Sequence, residues 1–237
     1  LSSLVEAREP IRHPRFSPDG GRIAYSVDTV DESPIGGIWV VTIADGDNAL
    51  VLANGASGEG TSPPYYSQPQ WAPNINALLL KASGTETTSL SVLDVNTLEV
   101  VPLGQYDDGF WTRDGRVVAW GSGTASPQAS EIVILDPNTQ QTPIPLFTLP
   151  LDIQVERLLQ VSATELRLVS RQNTFGPSTL VSVRIPLNGS FERLYALPPL
   201  IDPVLSPDGD FIAGLTRPDG QFVLFDPEID SKLILLF

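Results

Sequence analysis

The side chains best equipped for recognition in this chain are aromatic and acidic, and they recur in the stretches between apolar runs. Tyr65 and Tyr66 stand together, Tyr106 precedes Asp107 and Asp108, Asp152 is followed by Gln154, Asp202 comes later, and Arg8 lies near the start. A phenol ring beside a carboxylate offers an apolar face, a hydroxyl donor and a strong acceptor in one place. That combination suits a sugar, a peptide or a cation. The competing reading is structural: these residues cap strand ends, stack on Pro63 and Pro64, and stay solvated.

Other chemistry is narrowly bounded. His13 is the single histidine and there is no cysteine. Multi-histidine zinc sites, two-histidine iron sites, thiolate metal sites, disulfides and cysteine nucleophiles are therefore excluded within this chain. A Ser-His-Asp arrangement would have to use His13, and no Gly-x-Ser-x-Gly elbow accompanies it. No glycine-rich phosphate loop is present. No metal and no cofactor are expected. The segment Asp45-Gly46-Asp47-Asn48 lacks the later bidentate Glu of a calcium loop and reads as a hairpin turn.

Charge and composition limit the partners. The 237 residues carry 28 acidic and 14 basic side chains, a formal charge of −14. A net negative field repels nucleic acid and anionic lipid, and no run of Lys or Arg offers a local exception. No apolar run reaches the length of a membrane span. Hydrophobic residues make up 41%, enough for a substantial core. The chain starts at Leu1 without a leader pattern, which suggests a mature product or a domain of a longer chain. The absence of Cys and Met suggests an oxidising, extracytoplasmic setting (periplasm, cell surface or secreted).

The elements that must position these residues are repeats. Phe16-Ser17-Pro18-Asp19-Gly20, Trp111-Thr112-Arg113-Asp114-Gly115 and Leu205-Ser206-Pro207-Asp208-Gly209 are related, and Trp71-Ala72-Pro73-Asn74 is a near variant. Val161-Ser162-Ala163-Thr164 keeps only the position and the flanking strands. The five turns lie about 40 to 55 residues apart, the size of one propeller blade. Pro presets φ, Asp caps backbone N–H groups, and Gly takes φ > 0. Recurrence at this period makes the Asp of the turn a structural residue. Apolar runs follow each turn, so every unit reads strand, turn, strand, loop, strand, turn, strand. No sustained helical period with caps is present. The predicted fold is all-β: a β-propeller of five four-stranded blades, or six if a blade is missing. It forms a single domain over residues 1–237, with blades near 12–53, 65–103, 106–149, 153–196 and 200–237.

The turn with its flanking strands resembles the TolB-like propeller repeat, most clearly over Pro14 to Tyr25 and Pro203 to Ala213. The resemblance implies a propeller fold and says little about function, because such blades occur in partner-binding proteins and in accessory domains of peptidases. In a four-stranded meander the first and third turns share one end of the sheet, and the second loop and the inter-blade connection share the other. The longer connections, 28–37, 54–66, 83–88, 121–128 and 172–177, gather on that second end. Function tends to sit on loops held by a rigid scaffold. The expected activity is non-enzymatic binding of a protein, peptide or glycan through Arg8, Tyr65, Tyr66, Tyr106, Asp107, Asp108, Asp152 and Asp202. The alternatives are a carboxylate-dependent glycan hydrolase of the five-bladed propeller type, which needs two converging carboxyls, and an accessory propeller of a larger hydrolase or peptidase.

Overall fold

The computed structural model describes residues 10–28, 36–55, 65–84, 87–122, 130–139, 142–149, 153–162, 165–172, 178–184, 192–196, 200–206, 211–216, 221–225 and 233–235. All regular structure among them is β, and no helix occurs. The strands pair as antiparallel meanders, each joined to the next in sequence. The first sheet holds β1 (Ile11–Phe16), β2 (Arg22–Val27), β3 (Gly37–Thr42) and β4 (Asn48–Ala53). The second holds β5 (Tyr65–Trp71), β6 (Ala77–Ser83), β7 (Thr88–Asp94) and β8 (Val100–Gly104). The third holds β9 (Asp108–Trp111), β10 (Val117–Ser122), β11 (Ser130–Leu135) and β12 (Ile144–Thr148). The fourth holds β13 (Ile153–Ser162), β14 (Glu165–Gln172), β15 (Ser178–Arg184) and β16 (Glu192–Ala196), and the fifth β17 (Leu200–Leu205), β18 (Ile212–Thr216), β19 (Phe222–Phe225) and β20 (Leu233–Leu235).

The chain divides into two compact units, Leu1–Ala125 with Val133–Ile144, and Ser126–Ile132 with Pro145–Phe237. In the first unit the middle strands of the second sheet are apolar on both faces, because the first sheet packs on one face and the third on the other. Ala24, Ile38, Val40, Trp71, Leu78, Leu80 and Leu93 join the first sheet to the second in one buried cluster. Ala72, Ala77, Leu79, Leu90, Val92, Val117, Ala119, Val133 and Leu135 join the second to the third in another. Successive residues of β6 thus enter different cores, which is why Ala77-Leu78-Leu79-Leu80 has no polar alternation. Burying one such leucine stabilises the fold by about 2 kcal/mol.

Tryptophan stitches the sheets at a recurring position. Trp71 donates its indole N–H to the Arg15 carbonyl at 3.1 Å, and Trp111 donates to the Gln70 carbonyl at 3.0 Å. The Arg22 guanidinium lies 4.7 Å from the centre of the Trp71 ring. Inner strands also share an irregularity. Each of β1, β5 and β17 contains an X-Pro pair, and each has a β-bulge there: between Arg12 and Arg15, Ser67 and Gln70, and Ile201 and Val204. Proline lacks the N–H that would continue the ladder. In β1 and β5 the residues before proline, His13 and Gln68, both stand at φ 52, a left-handed conformation that non-glycine residues resist.

In the second unit β13 and β14 form a long hairpin in which Ser162 pairs with Glu165. Leu158, Leu166, Leu168 and Val169 are buried along it, and Arg167 pairs with Glu165 at 3.2 Å. Ile212 and Val223 are fully buried in the fifth sheet.

Candidate functional site

Antiparallel order gives each sheet two ends. The β1–β2 and β3–β4 connections and their counterparts form a turn end. The β2–β3 connection and its counterparts, with the starts of the inner strands, form a loop end.

At the turn end, the first turns of the first, third and fifth sheets share one hydrogen-bond scheme. Ser17 donates its N–H to the Arg22 carbonyl at 2.9 Å, and its hydroxyl accepts the Arg22 N–H at 2.9 Å. That hydroxyl donates to Asp19 at 2.5 Å, and Asp19 also accepts the Gly21 N–H at 3.0 Å. Thr112, Asp114 and Arg116 repeat the scheme, with the Arg116 N–H donating to the Thr112 hydroxyl at 2.9 Å. Ser206 accepts the Phe211 N–H at 2.9 Å in the same way. The Ser17 hydroxyl, then the Gly21 N–H, holds Asp19 below the usual carboxylate range, and the Thr112 hydroxyl does the same for Asp114. Sequence reading assigned the closure to Asp and Gly. The hydroxyl at the first position makes the connecting bond, and Asp orients that hydroxyl. The third turns close on Asp side chains: Asp45 accepts the Asp47 N–H at 3.0 Å, Asp94 the Asn96 N–H at 2.7 Å, and Asp136 the Asn138 N–H at 2.9 Å.

The loop end of the first unit carries a polar bridge between sheets. Tyr65, the first residue of β5, donates its hydroxyl to Asp28, which follows β2. Arg12 of β1 donates to the other oxygen of the same carboxylate. The Tyr65 hydroxyl, followed by the Arg12 guanidinium, holds Asp28 below the ordinary carboxylate range against the opposing effect of partial burial. The Arg12 side chain is 57% exposed, so a fixed cation faces solvent. His13 lies beside this bridge, its Nδ1 3.4 Å from the Ser26 hydroxyl oxygen.

The structure places the sequence-predicted residues unequally. Tyr65 is half-buried within the bridge. Tyr66 is half-buried against the first inter-sheet cluster, its N–H donates to the Asn54 side chain at 2.9 Å, and burial pushes its phenol above the ordinary value. Tyr106 packs on the second cluster. Asp107 is exposed, and its N–H donates to the Trp120 carbonyl at 2.8 Å. Asp108 is half-buried opposite Trp120, and its carboxylate accepts the Gly109 N–H at 2.8 Å. Gly121 permits this close approach: a Cβ there would come within 2.7 Å of the Asp107 nitrogen. Arg8 and Asp152 lie outside the described residues. Asp202 lies in the bulge of β17, and Gln154 lies in β13. Residues 29–35, 56–64, 85–86, 123–129 and 173–177, the greater part of the long connections, also lie outside the described residues.

Sequence reading missed Arg12 and Asp28. The available signal was positional, since each begins or ends a strand at the loop end. Among the described residues no group of three or more His, Cys, Asp or Glu is arranged to hold a metal ion, and no helix is long and apolar enough to cross a membrane.

Consecutive four-stranded meanders with a shared turn scheme define a TolB-like β-propeller fold. Solved structures that share it include three from different proteins. TolB from Acinetobacter baumannii matches with a TM-score of 0.60 at 18% identity, over 95% of this chain and 54% of TolB. Oligogalacturonate lyase from Vibrio parahaemolyticus matches with a TM-score of 0.71 at 11% identity, over 98% of this chain and 67% of the lyase. Acylaminoacyl peptidase from Pyrococcus horikoshii matches with a TM-score of 0.63 at 14% identity, over 95% of this chain and 39% of the peptidase. The chain thus spans about half the length of the TolB it matches. At these identities the likeness is one of fold. The sequence matches no protein family and no curated protein.

Proposed function

We propose that the five sheets are the blades of one propeller domain and that the chain is a non-enzymatic binding module in an extracytoplasmic compartment. It engages a protein, peptide or glycan through the loop end of its sheets. The observation that carries this reading is the Arg12–Asp28–Tyr65 bridge, which locks two sheets together and holds an exposed guanidinium in a fixed position. A pre-organised charge on a rigid scaffold lowers the ordering cost of binding. Asp107, exposed at the same end of the third sheet, supplies an acceptor. The non-enzymatic reading is supported at His13: its hydroxyl neighbour, Ser26, is fully buried and donates to the Arg12 carbonyl at 3.3 Å, a poor position for a nucleophile.

Tyr66 and Tyr106 support cores, so they are poor probes. The informative variant is Arg12→Ala with Asp107→Ala, screened on peptide and glycan arrays beside the parent chain. Loss of the parent's signals, with the melting transition retained, supports the assignment; unchanged signals overturn it. One calorimetric transition with matching van't Hoff enthalpy supports a single domain, and two separable transitions refute it.

A second reading, an accessory propeller of a larger hydrolase or peptidase, is favoured by the match to the peptidase, of which this chain spans 39%. Reading the complete gene for an adjoining hydrolase domain tests it.

A further inference from the structure

The turn end of the second sheet lacks the shared hydroxyl, with Ala72 in the place of Ser17, and departs from the first sheet at two further positions. In the first sheet the β1–β2 turn places Gly20 at φ 71 and the β3–β4 turn places Gly46 at φ 75. Gly46 donates its N–H to the Thr42 carbonyl at 2.9 Å. In the second sheet the matching positions are Ile75 and Leu98. Leu98 makes the same bond, from its N–H to the Asp94 carbonyl at 2.8 Å, and adopts the same left-handed conformation at φ 61. That conformation is unfavourable for any residue with a bulky Cβ substituent. Burial does not compensate it: Leu98 is 52% exposed and Ile75 46% exposed.

Two hydrogen bonds tie together the turns that carry these side chains. The Asn76 amide donates to the Asn96 side chain at 2.5 Å, and the Val95 N–H donates to the Asn76 carbonyl at 3.0 Å. A strained backbone carrying an exposed apolar side chain is unfavourable twice over, and such positions concentrate at contact sites.

We propose that Ile75 and Leu98 are the apolar anchor of a docking surface for a cationic, amphipathic protein segment. Charge selects the occupant. Asp94 and Glu99 flank Leu98, and Asp45 and Asp47 stand on the corresponding turn of the first sheet. Of the basic side chains on the first turns of this end, Arg116 pairs with Asp114 at 2.7 Å, Arg22 covers the Trp71 ring, and Arg113 stands on the neighbouring turn of the third sheet, where its carbonyl accepts the Asn74 amide at 2.9 Å. A second copy of this chain brings a formal charge of −14 and is repelled, whereas a segment with Lys or Arg beside leucines is attracted and steered. This surface lies at the opposite end of the sheets from the loop-end site and does not depend on it.

The test uses the whole chain and two synthetic peptides, an amphipathic Leu-Lys repeat and a Leu-Ser repeat of equal length. Amide shifts are followed by NMR, with the Leu98→Asn variant beside the parent. Asn tolerates the left-handed position, so this variant keeps the turn and melts no lower than the parent. The expected result is that the Leu-Lys peptide shifts residues 73–76 and 94–99. Leu98→Asn weakens its binding about tenfold, and added salt at about 0.5 M weakens it further. Shifts elsewhere, equal binding of Leu-Ser, or unchanged affinity in Leu98→Asn each overturn the proposal. A lower melting temperature in Leu98→Asn would make Leu98 a structural residue and also overturn it. A parent dimer in ultracentrifugation that Leu98→Asn dissolves would assign the surface to a second copy and refute the cationic partner.

Discussion

The two ends of the sheets are made by different rules. At the turn end Ser17, Thr112 and Ser206 perform the same task with the same atoms, and each closure is local to one turn. At the loop end the first and second sheets are joined by Arg12, Asp28 and Tyr65, while the third is held by Asp107 on Trp120 and by the space at Gly121. Repetition at one end marks what any blade needs to fold. Divergence at the other marks what each blade does for itself. Ile75 and Leu98 sharpen the rule, because they are divergence within the repeating end.

The contrast can be broken most forcefully at Gly121. Gly121→Ala forces a Cβ against the Asp107 backbone and is expected to cost about 1–3 kcal/mol, read as a lower urea midpoint. An unchanged midpoint would mean that the loop end of the third sheet yields without cost. Next comes Thr112→Val, which keeps shape but removes the hydroxyl that serves both the Arg116 N–H and Asp114. A loss of about 1–2 kcal/mol in chemical denaturation is expected. Ser17→Ala should match it in direction, and a mismatch would show that the turns are not equivalent.

Acid separates the turn carboxylates from the rest of the surface. Asp114 is held below its ordinary value by the Thr112 hydroxyl and by Arg116. A depressed native value means that its stabilisation is present above the unfolded value near about 4 and is lost as pH falls through the native value. The melting temperature should therefore drop as pH falls below about 4, and Asp114→Asn should flatten that drop. A parallel curve for the variant would remove Asp114 from the acid response. The smallest effect belongs to the loop-end bridge. Asp28→Asn should cost less than about 1 kcal/mol, shrinking with added salt, because Arg12 is largely exposed.

Much of the architecture was legible because it is written locally. Pro18-Asp19-Gly20 states its own turn, and an apolar run such as Ala77 to Leu80 states a strand covered on both faces. The hydroxyl role of Ser17 was not legible, since spacing shows proximity along the chain but not which atom donates. The bridge was less legible still. Arg12 and Asp28 are 16 residues apart, and Asp28 and Tyr65 are 37 apart, so no short pattern joins them. Tyr66 and Tyr106 read as contact groups because their composition matches a contact surface. Their rings lie on inter-sheet clusters formed by residues of other strands, which a linear pattern does not display.

The bulged X-Pro pairs of β1, β5 and β17 have a further consequence for how such a chain stays soluble while it assembles. Each of these strands is the first of its sheet and has a hydrogen-bonding partner on one side only. A newly formed meander therefore presents an open ladder that another meander, from the same repeat array or from another molecule, can extend. Pro14, Pro69 and Pro203 lie in the bulges of these edge strands, and each removes a backbone N–H from its strand. Prolines and bulges on edge strands are a general guard against edge-to-edge pairing, a hazard for any array of sheets with the same strand order.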